Sequence, residues 1–135
     1  MPKLGEILKP KLVKDILLDK EYRINGVGKI CQAMTNYAKN REILLAIISD
    51  PEFDPNIHNG IIFFHACINN LSELVKLMLP RLINPTHNNN YALRIAYSRG
   101  CNDVINILLK DERVVKSLDS KHLHQLHNLF KILYE

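Results

Sequence analysis

Residues 88 to 114 read NNNYALRIAYSRGCNDVINILLKDERV. Leu93, Ala96, Val104, Ile105, Leu108 and Leu109 fall at helical spacing on two short segments. Gly100 stands between them, where positive φ closes the first helix at no steric cost. Asn102 follows as the expected N-cap of the second helix. Such a unit cannot stand alone. Isolated helices under about 12 residues are marginal in water, and each apolar face here needs a partner. The chain can fold only if it supplies further copies of the unit to cover those faces.

A shift of 30 residues places Phe63 on Leu93, Ala66 on Ala96 and Asn70 on Gly100. Leu74, Val75, Met78 and Leu79 then fall on Val104, Ile105, Leu108 and Leu109. Asparagine is the next-best residue after glycine for a left-handed helix end. A further shift puts Ile43, Ile47 and Ile48 at second-helix positions and Asn40 at the turn. Its first helix, near GKICQAMTNYAKN, aligns only with a one-residue gap. LGEILK and KLVKDILLD, split by Pro10, form a degenerate unit before it. At the other end, Leu123, Leu126, Leu129, Phe130 and Leu133 share one helical stripe, with Asp119 or Ser120 as cap. A closing helix there would shield the last unit.

The expected fold is all-α, a single domain over residues 1–135 with about nine short helices and no sheet beyond hairpin-like turns. Its units are 1–24 (degenerate), 25–55, 56–85 and 86–118, followed by the capping helix 119–135. Leu93, Ala96, Leu108 and Leu109 are expected between units.

Hydrophobic residues make up 47% and charged residues 24%, enough to build a core. The longest apolar run, Ile43 to Ile48, is far short of the roughly 20 residues of a membrane span. The opening MPKLGEILKPK is charged where a signal peptide would be apolar. These features predict a soluble, cytoplasmic chain. Abundant Asn, Ile and Lys echo an AT-rich genome, such as that of a giant virus; a viral chain would work in host cytoplasm or nucleus. Cys31, Cys67 and Cys101 are widely spaced and odd in number, which predicts free, buried thiols.

Charge is uneven. Residues 1 to 41 carry nine Lys or Arg against four Asp or Glu, a balance of +5; the rest carry nine against ten, giving the total of +4. A basic end can attract nucleic acid or anionic lipid. Yet Lys9, Lys11, Lys14 and Lys20 interleave with Asp15, Asp19 and Glu21, as on an ordinary solvated helix. His122, His124 and His127 are the most metal-like cluster, but His122 points away from His124 on a helix and no cysteine or acidic group lies near. They read as polar flanks of the capping helix. NGVGK at 25 to 29 lacks the phosphate-loop spacing and reads as the loop before a helix. No nucleophile elbow, Walker loop or HExxH is present. No catalytic, cofactor or metal site is expected.

YALRIAYSRGCNDVINILL resembles an ankyrin repeat, in the short-period form of giant viruses. Leu93 takes the family's leucine, Ala96 its first alanine, Gly100 its turn glycine, and Leu108 with Leu109 its closing leucines. The resemblance covers roughly residues 11 to 118 and is most specific in the third unit. The family's Thr-Pro is replaced by Tyr91-Ala92 and Ile61-Ile62, so its capping bonds must come from Asn59, Asn89 or Asn90, or be lost. The period of 30 to 31 is shorter than the family's roughly 33. The resemblance implies a solenoid that acts as a non-enzymatic adaptor or decoy: a monomer with a protein partner, no small-molecule substrate and no cofactor. Carried over position by position, the partner surface comprises His58, Asn69, His87, Asn88, Asn90, Ser98 and Arg99. Stacking would bring His58, Asn69, His87 and Asn88 around Arg99 as one patch. The alternative is a nucleic-acid or anionic-membrane binder working through the basic N-terminal third. A helical hydrolase or metalloenzyme is the third class, testable by metal analysis. Tyr97 and Phe64 could equally be surface anchors or packing residues.

Overall fold

The computed structural model describes residues 26–118. The degenerate first unit and the 119–135 segment, with its histidines, lie outside them. The described residues are all-α, with seven helices: α1 Gly26–Met34, α2 Tyr37–Ser49, α3 Ile61–Ile68, α4 Ser72–Met78, α5 His87–Ser98, α6 Asn102–Leu108 and α7 Glu112–Ser117. Helices α1, α3 and α5 pack side by side as one layer, and α2, α4 and α6 as a second. Each first helix also packs on the second helix of its own pair.

The apolar periodicity explains this arrangement. Phe63, Ala66, Leu74, Val75 and Met78 are buried, as are their counterparts Leu93, Ala96, Val104, Ile105 and Leu108. Ala66 and Ala96 are both fully covered, and their small side chains suit close helix approach. Leu109 departs from the expectation: it is half-buried against the core, while Leu108 is 1% exposed.

The turns inside the second and third pairs share two backbone hydrogen bonds. Asn70 and Gly100 both adopt positive φ, as expected. The N–H of Leu71 bonds to Ala66 O (2.9 Å) and that of Asn70 to Cys67 O (3.2 Å). Cys101 and Gly100 repeat these bonds to Ala96 O (2.9 Å) and Tyr97 O (3.2 Å). This pairing satisfies carbonyls that a helix end leaves open. Asn102 is not the cap of α6 but its first residue; Cys101 holds the cap position. The first pair turns at Thr35 and Asn36 rather than at Asn40. Asn40 lies within α2, and its amide donates to Ala33 O and Asn36 O, both at 3.1 Å, tying the turn from outside it. Gly26 to Lys29, expected in a loop, open α1, with Val27 buried.

The loops between pairs carry the less regular structure. His58, Asn59 and Gly60 are left-handed in succession, and so are Asn88, Asn89 and Asn90. Neither α3 nor α5 has a side-chain N-cap bond. The asparagines expected to cap serve instead as residues that tolerate positive φ.

Two arginines join the loops to the preceding pair. Arg81 donates to Ile48 O (2.8 Å), Pro51 O (3.3 Å) and Phe53 O. Arg113 donates to Leu79 O (2.9 Å) and Leu82 O. Each guanidinium thus bridges the end of one unit's second helix and the loop that follows. Beside each arginine the next side chain, Leu82 in the loop or Val114 in α7, enters the core. The Asn56 amide adds a link between loops, donating to Arg81 O (3.2 Å) and accepting from Ile83 N–H (2.8 Å). Asp111 caps α7 by accepting from the N–H groups of Arg113 and Val114, and pairs with the Arg113 guanidinium at 2.9 Å.

Leu108→Asp should unfold the chain or cost several kcal/mol, comparable with the whole stability of a small domain. Leu109→Asp, at a half-buried site, should cost clearly less. Urea unfolding of both variants measures the difference, and equal losses would contradict this burial pattern.

The Arg113 guanidinium beside Asp111 holds that carboxyl below its ordinary range, with help from backbone N–H groups and against partial burial. A carboxylate with a lowered folded-state pKa stabilises above its unfolded value, about 3.9, and that contribution disappears as pH falls through the folded value. Asp111→Asn keeps a capping oxygen but loses the charge. It should be less stable than wild type by at most about 1 kcal/mol at pH 7, since the Arg113 side chain is 42% exposed and the pair is screened by solvent. The gap should narrow in urea titrations as the pH falls below the unfolded value of about 3.9.

Candidate functional site

The first-helix layer and the inter-pair loops enclose an open pocket of about 240 Å³. Its walls are the loop before α3 (Asn56, Asn59, Gly60), the loop before α5 (Leu82, Ile83, Asn84), His87 at the start of α5, and Phe63 with Phe64 on α3. Each wall has a local cause. Arg81 and Asn56 fix the spacing of the two loops. The left-handed run 58–60 turns the chain straight into α3, so that Gly60 and Phe63 face the same space. Phe64 stacks on the His87 imidazole, with centroids 6.3 Å apart and planes at 21°. Tyr91 meets the Phe64 ring edge-on at 5.3 Å. Arg94 lies over Tyr91 at 5.6 Å and donates to the carbonyls of Asn89 (2.9 Å) and Asn88 (3.1 Å).

Ile83 is the outlying residue. It is 83% exposed, against 37% for Leu77 and 39% for Val115, the other exposed large apolar residues described. The pocket therefore has an apolar wall, an uncovered isoleucine and a rim of asparagines. No Asp, Glu, Lys or Arg lines it. Such a surface can take an apolar side chain and hydrogen-bond the backbone beside it.

The expected partner surface falls into two groups. His58, His87 and Asn88 lie at the starts of the first helices; Asn69, Ser98 and Arg99 lie at their ends. The eight residues of α3 separate its two ends by about 12 Å at 1.5 Å per residue. The patch imagined around Arg99 is thus two clusters. His58 and Asn88 are exposed on the left-handed turns. His87 is half-buried against Phe64. Asn69 is half-buried, its amide donating to His65 O (2.8 Å), and Ser98 donates to Ile95 O (3.1 Å). Arg99 is exposed at the end of α5. Asn90 is buried and donates to Ser117 Oγ (2.8 Å), so its side chain serves the fold rather than the surface.

Sequence reasoning missed Ile83, Asn56 and Arg94. The 30-residue shift sets Ile83 on the buried Phe53, but here Leu82 takes the buried position and Ile83 is left exposed. The available signal was the doubled apolar pair Leu82-Ile83 in a loop that buries only one side chain.

Among the described residues no group of His, Cys, Asp and Glu could hold a metal ion, and no helix is long and apolar enough to cross a membrane. Cys31, Cys67 and Cys101 are free and buried, as expected, and burial pushes all three thiols up in pKa. No protein-family model, curated protein or solved structure matches the chain.

Asn89 tests the loop geometry. Asn89→Val should cost about 1 to 2 kcal/mol, the penalty of a branched side chain in the left-handed region, while Asn89→Gly should be close to neutral. Denaturant midpoints measure both; equal values for the two variants would contradict the left-handed turn.

Proposed function

We propose that the chain is a non-enzymatic protein-interaction module. It is an ankyrin-like stack of helix pairs, a small monomeric adaptor or decoy that docks a protein partner on its first-helix face. The observation that carries this reading is Ile83, 83% exposed on the rim of an apolar-walled pocket. Contiguous apolar surface with a polar rim marks binding sites, and Ile83 is continuous with Leu82, Phe63 and Phe64 in the pocket wall. Small-molecule sites usually span about 300 to 1,000 Å³, so a pocket of about 240 Å³ suits one side chain of a larger partner better than a free ligand. The two helix layers and the matching turns at Asn70 and Gly100 support the ankyrin-like reading. Phe64 and His87 supply a preorganised aromatic wall, of the kind that concentrates binding energy.

Leu77, on α4 in the other layer, provides an internal control. Ile83→Asp should weaken partner binding by roughly 1 to 3 kcal/mol. Leu77→Asp should leave it unchanged, and both variants should melt near the wild type, since surface changes usually cost under about 0.5 kcal/mol. A photo-crosslinking residue at 83 should capture the partner and one at 77 should not. Capture at 77 alone, or at neither position, would reject the pocket as the docking site. Loss of binding on charge-neutralising Lys11, Lys14 and Lys20 instead would favour the basic N-terminal third.

A further inference from the structure

Carboxylates, though not cations, are sorted by layer: Lys39, Arg41 and Lys76 lie on the second helices. Helices α1, α3 and α5 contain Lys29 and Arg94 and no Asp or Glu. The carboxylates of the three helix pairs, Glu42, Glu73 and Asp103, all lie on the second helices α2, α4 and α6. Glu73 is already engaged there, by Arg41 at 2.6 Å and by the Tyr37 hydroxyl at 3.2 Å. Arg94 is exposed and held by two carbonyls, which fix the guanidinium without neutralising it. No carboxylate pairs with it among the described residues. Two ring contacts, through Tyr91 and Phe64, connect it to the pocket. Asp54, the acidic residue nearest the pocket in sequence, is not one of its lining residues.

We propose that the partner segment is an acidic peptide with an apolar anchor: one aliphatic or aromatic side chain in the pocket beside Ile83, and a carboxylate on Arg94. This rests on the docking reading above and adds the chemistry of the partner. A planar guanidinium already oriented by its carbonyl bonds loses little freedom when it takes a carboxylate. A layer without carboxylates repels no acidic segment and steers it inward. A nucleic acid fits less well, because Phe64 is packed against His87 and Tyr91 and offers no open platform for a base.

Fluorescence anisotropy of the full chain with short labelled peptides tests the assignment. One peptide has glutamates flanking a single leucine; the second has lysines in their place; the third has serine for the leucine. The glutamate–leucine peptide should bind at least about tenfold more tightly than either other, with the advantage over lysine shrinking in salt. Arg94→Glu should reverse the order of the glutamate and lysine peptides, whatever its effect on overall affinity. Ile83→Asp should remove the leucine advantage. Circular dichroism confirms that both variants fold. Equal binding of the glutamate and lysine peptides, an unchanged order in Arg94→Glu, or no binding by any peptide would overturn the proposal. So would tighter, Arg94-dependent binding of a labelled RNA oligonucleotide or of phosphatidylserine vesicles. If lysine and glutamate peptides both bind through leucine and Ile83, the acidic assignment falls and the docking reading stands. If no leucine effect depends on Ile83, the pocket reading falls as well.

Discussion

Arg81 and Arg113 hold together what the apolar cores alone would leave loose. A helix leaves its last carbonyls without internal partners, and a cation at that end also meets the negative end of the helix dipole. Each arginine donates to a carbonyl at a helix end, Ile48 O or Leu79 O (the latter shared with Leu82 N–H), and with its second nitrogen to a loop carbonyl, Phe53 O or Leu82 O. Because each guanidinium belongs to the following unit, the bond exists only when two units are stacked. A lysine could not span two carbonyls in this way, since it lacks the rigid fork. The consequence reaches the pocket directly. Its opposing loops are those that Arg81 and Asn56 fix, so the width of the site follows from a contact outside it.

The helical part of the fold was legible because burial repeats with the sequence. Phe63 with Leu93 and Met78 with Leu108 are matched in pattern and in burial. Asn70 and Gly100 were legible because a helix end demands positive φ and few residues tolerate it. The loops were not, since asparagine is favoured both as an N-cap and in the left-handed region, and sequence alone does not choose between the two. In HNG and NNN the second role won. The first pair was misregistered for a related reason: Asn40 controls its turn through side-chain bonds from inside α2, which a positional match cannot see.

The candidate surface was legible in outline only. Residues at helix ends came out exposed, as at Asn88 and Arg99, because loop tips and helix termini face solvent in any stacked-pair fold. Asn90 was lost to the surface because it reaches Ser117, at the far end of its own unit in α7. Arg94 escaped notice because its role depends on where the carbonyls of Asn88 and Asn89 point, and that direction is set by their left-handed backbone.

The pocket lies where the repeat is broken. Positions 64 and 94 are equivalent under the 30-residue shift, yet one is phenylalanine and the other arginine. In the third unit Arg94 turns back on its own loop; in the second, Phe64 turns outward and forms a wall. Gly60 and Asn90 are likewise equivalent: Asn90 is sealed against Ser117, while Gly60 opens onto the cavity. Phe53 and Ile83 are equivalent too: Phe53 is buried, while Ile83 is 83% exposed. Three departures from regularity thus meet at one seam between units, and each removes something a regular repeat would place there: a charge, a plug, a buried side chain. A stack selected only for stability would gain nothing from uncovering Ile83, since burying such a side chain is worth about 1.5 to 3 kcal/mol. That unrecovered burial is available to a partner, and it is the strongest physical reason to look for one at this seam.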